Sequence, residues 1–281
     1  MVNLLKACHY RSWIGHAAYL YKKWSYQRYF ESLNKGLPPN QITILPDITL
    51  TPANEDVRHA FNHFTYIEPE MVEEMKAFVR VMQGKKTLLD VGALYGVFSL
   101  VFTVRPDATS YALEPNPTSM NVLKQNMALN SSHRIIPFQV AAGNRQGQIT
   151  FVDDGMHLTA TSVKGGPDSN GGKTVSISAT TLDALCNSNG IVPDMIKIDV
   201  EGFEFQVLKG CEQTLIESRP ILIIEIHPNL LAQHGISSVE IMEFLAAKGY
   251  RFYDHNLAEV GLKHFSINRV FRVFCAHNVL S

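Results

Sequence analysis

From Thr87 onward, short runs of aliphatic and β-branched residues alternate with segments of helical period, which is the signature of βαβ units around a mostly parallel sheet. The pattern predicts strands over 87–92, 109–113 and 135–140, separated by helices that run to about 104, where Arg105-Pro106 stops the first, and over 117–129, where Pro117 opens the second. An extra edge strand is expected over 148–152. Residues 155–173 are rich in Gly, Ser and Thr and too poor in apolar residues to pack, so they read as a long loop, either a lid or a solvated connector. Strands over 175–178 and 195–200, a helix over 203–215 and a strand over 220–226 follow. That last run is almost wholly aliphatic, as a strand buried on both faces must be. A helix over 237–248 and strands over 251–253 and 270–275 complete the series. No internal repeat is visible.

Before this region the pattern changes. Trp13, Ala17, Leu20 and Trp24 recur at helical spacing, and residues 1–30 carry Lys6, Arg11, Lys22, Lys23 and Arg28 with no acid. This aromatic, basic helix reads first as packed on the main domain and only second as a surface for a membrane or partner. It lacks the unbroken apolar run of a secretory signal. The chain is expected to divide into an extension over 1–65, helical and then irregular or in short strands, and a large domain over 66–281.

Composition narrows the function. With 281 residues, 46% of them hydrophobic, the chain can bury a substantial core. A net charge of −1 provides no general field for nucleic acid, and no apolar stretch is long enough for a transmembrane helix. Cys8, Cys186, Cys211 and Cys275 are too scattered for a zinc knuckle or disulfide framework, so a cytoplasmic setting is expected. A homo-oligomer is left open.

The chemistry concentrates at predicted strand ends. Asp90-Val-Gly-Ala-Leu-Tyr-Gly96 lies where a buried strand turns into a helix, a place where backbone amides meet ligands; glycine there can equally relieve steric crowding. Glu114 ends the next strand, where a carboxylate can accept from both hydroxyls of a ribose or else cap the helix that follows. The G-x-G-x-x-G spacing is absent, since Ala93, Leu94 and Tyr95 separate Gly92 from Gly96 and Ser99 occupies the third position. A nucleoside ligand without a pyrophosphate fits better than a dinucleotide.

Three blocks, Asp90-Val-Gly-Ala-Leu-Tyr-Gly-Val-Phe-Ser99, Tyr111-Ala-Leu-Glu-Pro-Asn-Pro117 and Lys197-Ile-Asp-Val-Glu-Gly-Phe-Glu204, resemble the successive signatures of FkbM-family methyltransferases. Leu208-Lys-Gly210 and Ile224-Glu-Ile-His227 extend the resemblance in order, over roughly 66–227. One departure is Leu94, where the family commonly has Asn. The resemblance implies a class I methyltransferase fold, Rossmann-like and doubly wound, with a mostly parallel seven-stranded α/β sheet whose last strand is antiparallel, here with an N-terminal helical extension. It implies S-adenosylmethionine as cofactor, with Asp90, Gly92 and Gly96 bordering its methionine end, Glu114 at the ribose, Val140 and Ala141 at the adenine, and Ala93 and Asp199 as further cofactor-binding residues. Acceptors in the family are typically hydroxyls of sugars or secondary metabolites.

Asp199, Glu201 and Glu204 gather at one strand end. Glu204 reads most simply as a helix cap, whereas Asp199 could position substrate or take a proton, with Lys197 as its partner. Glu225 and His227, two residues apart, share a face of their strand. The candidate catalytic residues are therefore Asp199 and His227 as base and Glu201 as positioner, although a His at a strand end is more often a hydrogen-bonded structural residue. The set could hold a divalent metal, although the sequence does not require one. Small-molecule O-methylation is the expected activity, with N-methylation, a nicotinamide-dependent oxidoreductase and a non-catalytic cofactor-binding protein as alternatives.

Overall fold

The computed structural model describes residues 2–153, 158–160 and 173–280. The chain forms two compact units, Met1–Phe78 and Val79–Ser281. In the first unit a long helix α1 (Val2–Asn34) precedes an antiparallel hairpin of β1 (Ile42–Leu45) and β2 (Ile48–Leu50), then α2 (Glu55–Asn62) and the start of α3 (Pro69–Val81). The Asn54 side chain accepts from the Val57 amide and so caps α2. Phe30, Ile42, Ile44, Val57, Phe61, Val72 and Met75 are among its buried apolar residues. Of the expected stripe, Ala17, Leu20 and Trp24 are exposed rather than packed, and the Trp13 side chain lies outside the described residues.

The second unit is a three-layer α/β arrangement. Its elements are β3 (Thr87–Val91), α4 (Val97–Phe102), β4 (Thr109–Leu113), α5 (Pro117–Leu129), β5 (Ile135–Phe138), β6 (Ala141–Ala142), β7 (Gly147–Asp153), β8 (Leu158–Ala160), β9 (Lys173–Thr180) and α6 (Leu182–Asn189). They continue with β10 (Met195–Ile198), α7 (Glu204–Lys209), α8 (Glu212–Glu217), β11 (Ile221–Ile226), α9 (Pro228–Gln233), α10 (Ser238–Ala246), β12 (Arg251–Tyr253), β13 (Glu259–Val260) and β14 (Phe271–Ala276). The main sheet has the order β13-β12-β14-β11-β10-β3-β4-β5. β5, β4, β3, β10 and β11 pair in parallel, and β14 inserts antiparallel between β11 and β12. The eighth strand, β13, is a two-residue addition at the edge.

Parallel strands are usually buried on both faces, and the burial follows that rule: every residue of β10 is buried, as are four of the six in β11. The chain leaves β3 toward β4 and β5 on one side and returns to β10 and β11 on the other. The topological switch point therefore lies between β3 and β10, where open α/β sheets bind ligands. Register then sets the site. Val91 pairs with Ile198 and Leu113, and Leu113 with Phe138, so the residues that follow each strand emerge along one edge.

Three expectations are corrected. The strand over 148–152 is not at an edge of the main sheet; it is the interior strand β7 of a separate sheet ordered β6-β9-β7-β8, because β9 turns back to pair with it antiparallel. The long loop over 155–173 is interrupted by β8, which pairs with β7; apart from residues 158–160 and 173 it lies outside the described residues. The helix over 203–215 is two helices. Asp183, on α6, accepts from the Gln213 and Thr214 amides and starts α8 afresh, an interaction between residues thirty positions apart that periodicity cannot register. Cys186, Cys211 and Cys275 are buried free thiols.

Asp194 clamps the start of this sheet: its Oδ2 accepts from the amides of Lys86 (2.8 Å) and Thr87 (3.0 Å) at the entry to β3. Asp194→Ala is expected to cost about 1–2 kcal/mol, less than a fully buried loss because water can reach the Lys86 amide. Calorimetry should show a lower unfolding midpoint; an unshifted one would mean the clamp does not set stability.

Candidate functional site

A cavity of about 170 Å³ opens at the carboxyl ends of β3, β4 and β10. This is far more than one water needs, which is roughly 10–15 Å³ on the same kind of measure, so the space suits an organic ligand. Gly92, Leu94, Glu114, Asn116, Val140, Ala141, Ile149, Asp199, Glu201 and Phe203 all contribute to its wall.

The glycine loop is held by the chain itself. Gly92 and Ala93 donate their amides to Leu113 O, both at 3.0 Å, and Asn126, fully buried on α5, donates Nδ2 to Tyr95 O at 2.8 Å. Both glycines have positive φ, 73° and 84°. A Cβ on Gly92 would sit 1.8 Å from Asp199 O, and one on Gly96 2.2 Å from Leu123 Cδ1. Gly92 is therefore required by its close approach to the Asp199 backbone and Gly96 by its left-handed φ, before any ligand is considered.

Glu114 ends β4 with its carboxylate buried and fixed. Oε1 accepts from the Asn116 amide and Oε2 from the Leu94 amide, both at 2.8 Å. Burial raises its proton affinity, and the two amides and Lys197 oppose the rise without cancelling it. The cap of α5 is Asn116, whose Oδ1 accepts from Thr118 and Ser119. Glu114 is thus free of that duty.

Asp199, Glu201, Glu204, Glu225 and His227 converge on the other side. His227 Nδ1 donates to Glu204 Oε1 at 2.8 Å, while Nε2 lies 3.5 Å from Glu201 and 3.9 Å from Glu225. Burial disfavours the imidazolium, but the Glu204 bond and the charges of Glu204, Glu201 and Asp199 outweigh it and push the His227 pKa up to about 9. At neutral pH His227 is a cation. Burial alone would raise Asp199, yet Lys197, His227 and Arg272 together hold it below the usual carboxylate range. Lys197 Nζ stands 3.5 Å from Asp199 and 3.7 Å from Asp90, and donates to Gly92 O at 2.7 Å. Arg272 on β14 pairs with Glu225 at 2.8 Å. Ligand atoms of Asp199, Glu201 and His227 lie within 4.8 Å of one another, a set able to coordinate a divalent cation. An ion there would have to displace the His227 proton, and three cationic side chains already oppose the acids.

The sequence profile of the methyltransferase FkbM domain matches residues 90–252, more than half of the chain. The chain belongs to the FkbM methyltransferase family. Over 146 residues it is 30% identical to the hexuronic acid methyltransferase AglP of Haloferax volcanii, covering 50% of this chain and 55% of that protein, so it spans about half the length of this curated relative. Among solved structures it is similar to the FkbM methyltransferase of Methylobacillus flagellatus, at 16% identity and a TM-score of 0.46 over 88% of this chain and 57% of that one. It is also similar to TYW2 of M. jannaschii, at 15% identity and a TM-score of 0.40 over 84% and 83%. These low scores leave the family profile and the sheet order to carry the assignment. The order and the antiparallel β14 are those of the class I methyltransferase fold.

Within this FkbM-family domain the cavity brings Gly92, Glu114, Val140, Ala141, Asp199 and Glu201 together. Asp90, Ala93 and Gly96 do not line it. Asp90 is buried behind the wall, accepting from Ser99 N and Oγ, and Gly96 is the first residue of α4's N-terminal turn. Glu204 is not a helix cap; it is fully buried and orients His227, while also accepting from the Gly202 amide. Sequence reasoning missed Asn116, Asn126, Ile149, Phe203 and Arg272. Asn116 before Pro117 carries a helix N-terminus signature that could have been read; Arg272 arrives from the last strand and left no local signal.

Two measurements follow from this geometry. Leu94 has φ 49° and is exposed at the cavity mouth, and the family's Asn tolerates left-handed backbone better. Leu94→Asn is therefore expected to recover part of a conformational cost of about 1–2 kcal/mol and to raise the unfolding midpoint; a lower midpoint would mean the Leu side chain contributes packing that outweighs it. His227 is raised from 6.5 in the unfolded chain to about 9 in the fold. Its contribution is then fully present below about pH 6.5 and lost as pH rises through about 9. Urea titrations of the wild type and His227→Gln across this range should converge as pH rises. A constant gap would contradict the ion cluster.

Proposed function

We propose that this FkbM-family protein uses S-adenosylmethionine to methylate a hydroxyl of a sugar or secondary metabolite. The observation that carries this reading is Glu114. Each of its carboxylate oxygens accepts one backbone amide, and an ionised carboxylate oxygen can accept more than one bond, so acceptor capacity remains for a pair of ribose hydroxyls at the cavity wall. Beside it, Val140, Ala141 and Ile149 offer an apolar slot suited to an adenine ring, and the far end is anionic, which suits a sulfonium. The cofactor, when bound, supplies a methyl group already activated for displacement.

What the protein must add is alignment and a route for one proton. His227 is cationic at neutral pH and has no lone pair to offer, so it acts here as a charge that helps keep Asp199 ionised and lies beside Glu201. Asp199 and Glu201 border the cavity and are the groups that receive the proton. A weak base suffices: as the methyl–oxygen bond forms, the attacking hydroxyl becomes an oxonium that gives up its proton readily to a carboxylate. The hexuronic acid named for the AglP relative supports a sugar acceptor.

Glu114→Ala should bind S-adenosylmethionine at least tenfold more weakly, since charge-assisted hydrogen bonds contribute about 1.5–3 kcal/mol each before costs. Calorimetric titration checks this, with circular dichroism to show the variant is folded. Unchanged affinity in a folded variant would remove the ribose assignment. Incubation with isotopically labelled cofactor and a panel of sugars should give a mass gain of one methyl on oxygen; label on nitrogen would redirect the reading to N-methylation.

A further inference from the structure

Helix α1 is apolar on two opposite sides, and one of them is uncovered. Toward its own unit, Phe30 is fully buried and the Tyr26 hydroxyl meets Glu73 and Lys76. On the other side Leu20 and Trp24 are one turn apart, Tyr21 and Arg28 are two turns apart, and Arg28 lies over the Trp24 ring with 6.0 Å to its centroid. Leu20, Tyr21 and Trp24 are 49%, 69% and 57% exposed, a run of large apolar side chains without a cover. Residues 1–30 hold five basic residues and no acid in a chain whose overall charge is −1; Lys22 is paired with Glu73 across the packed side, and Glu31 is the single acid of α1.

We propose that this face of α1 docks on an anionic lipid surface. Tryptophan and tyrosine rings are suited to the boundary between headgroups and acyl chains, and lysine and arginine can rest their stems on apolar surface while their charges reach lipid phosphates. The charge pattern selects this occupant over a second copy: Lys22 is paired with Glu73 at 3.3 Å, but Lys23 and Arg28 belong to the same stretch and no acid precedes Glu31, so two such faces would set like charges together. The helix lies on the surface rather than across it, since among the described residues no helix is long and apolar enough to span a membrane.

The protein's two tryptophans, Trp13 and Trp24, both belong to α1, so its tryptophan emission reports on this helix alone. Full-length protein is titrated with vesicles of phosphatidylcholine alone and of phosphatidylcholine with phosphatidylglycerol, by emission and by co-sedimentation. The expected result is a blue shift and at least tenfold stronger binding with the anionic vesicles, weakened by 0.5 M salt as surface charges are screened at about this ionic strength. A variant with Leu20→Ser and Tyr21→Ser, both exposed, should stay folded and lose the binding. Trp13→Phe leaves Trp24 as sole reporter and should keep the shift. No binding to either vesicle, or equal binding to both, overturns the proposal. A blue shift that grows with protein concentration in the absence of lipid, with a dimer in sedimentation velocity, overturns it in favour of self-association. Cofactor and acceptor are absent throughout, so the outcome is independent of methyl transfer.

Discussion

Burying an ammonium at the centre of a sheet is costly unless its charge is paired, and Lys197 sits at that centre, on the strand that pairs with β3. Its partners are the Gly92 carbonyl and the carboxylates of Asp90 and Asp199, with the Phe98 ring 5.5 Å away. These come from the two strand ends that form the switch point. A single buried charge thus joins the glycine loop to the acidic edge of the cavity. The near contact that Gly92 makes with Asp199 O has the same consequence: the loop cannot move without moving the start of the Asp199 segment.

The acids beyond Lys197 form a graded set. Glu204 is fully buried, its Oε1 shared by His227 and the Gly202 amide while its Oε2 has no hydrogen-bond partner among the described residues, Glu225 is engaged by Arg272, Asp199 is held ionised by cations on three sides, and Glu201 is half-exposed at the mouth. Glu201 also has φ 51°, a conformation that costs a side-chain-bearing residue energy and places its carboxylate where the following Gly202 lets the chain turn into α7. A gradient from buried to exposed is what separates positioning groups from groups that can meet a substrate.

The two units present different kinds of surface. In the second, the large apolar side chains left exposed are scattered aliphatics such as Val104, Leu129 and Val192, and the cavity lies at the carboxyl ends of β3, β4 and β10. In the first, α1 leaves aromatic side chains in solvent along a basic stretch. Solvated aromatics are unfavourable in isolation, so the face that carries them is the natural place to look for an external partner.

The amino-acid sequence by itself determined the alternation of strands and helices after Thr87, because parallel strands buried on both faces must be aliphatic runs and their crossovers must be helical in period. The strands over 109–113 and 251–253 and the helix over 117–129 were legible to the residue. It also determined the positions of Glu114, Asp199, Glu201 and His227 at strand ends, since chemistry in such folds collects there. Only the tertiary structure decided which sheet β7 and β9 would join, where Asp183 would break a helix in two, and that Asp90 would face inward while Arg272 arrived from the last strand. Those outcomes depend on pairings between residues tens of positions apart, and a local pattern carries no record of them. The charge state of His227 belongs to the same class: an imidazole is an ordinary base in the sequence, and becomes a cation only when folding sets four carboxylates around it.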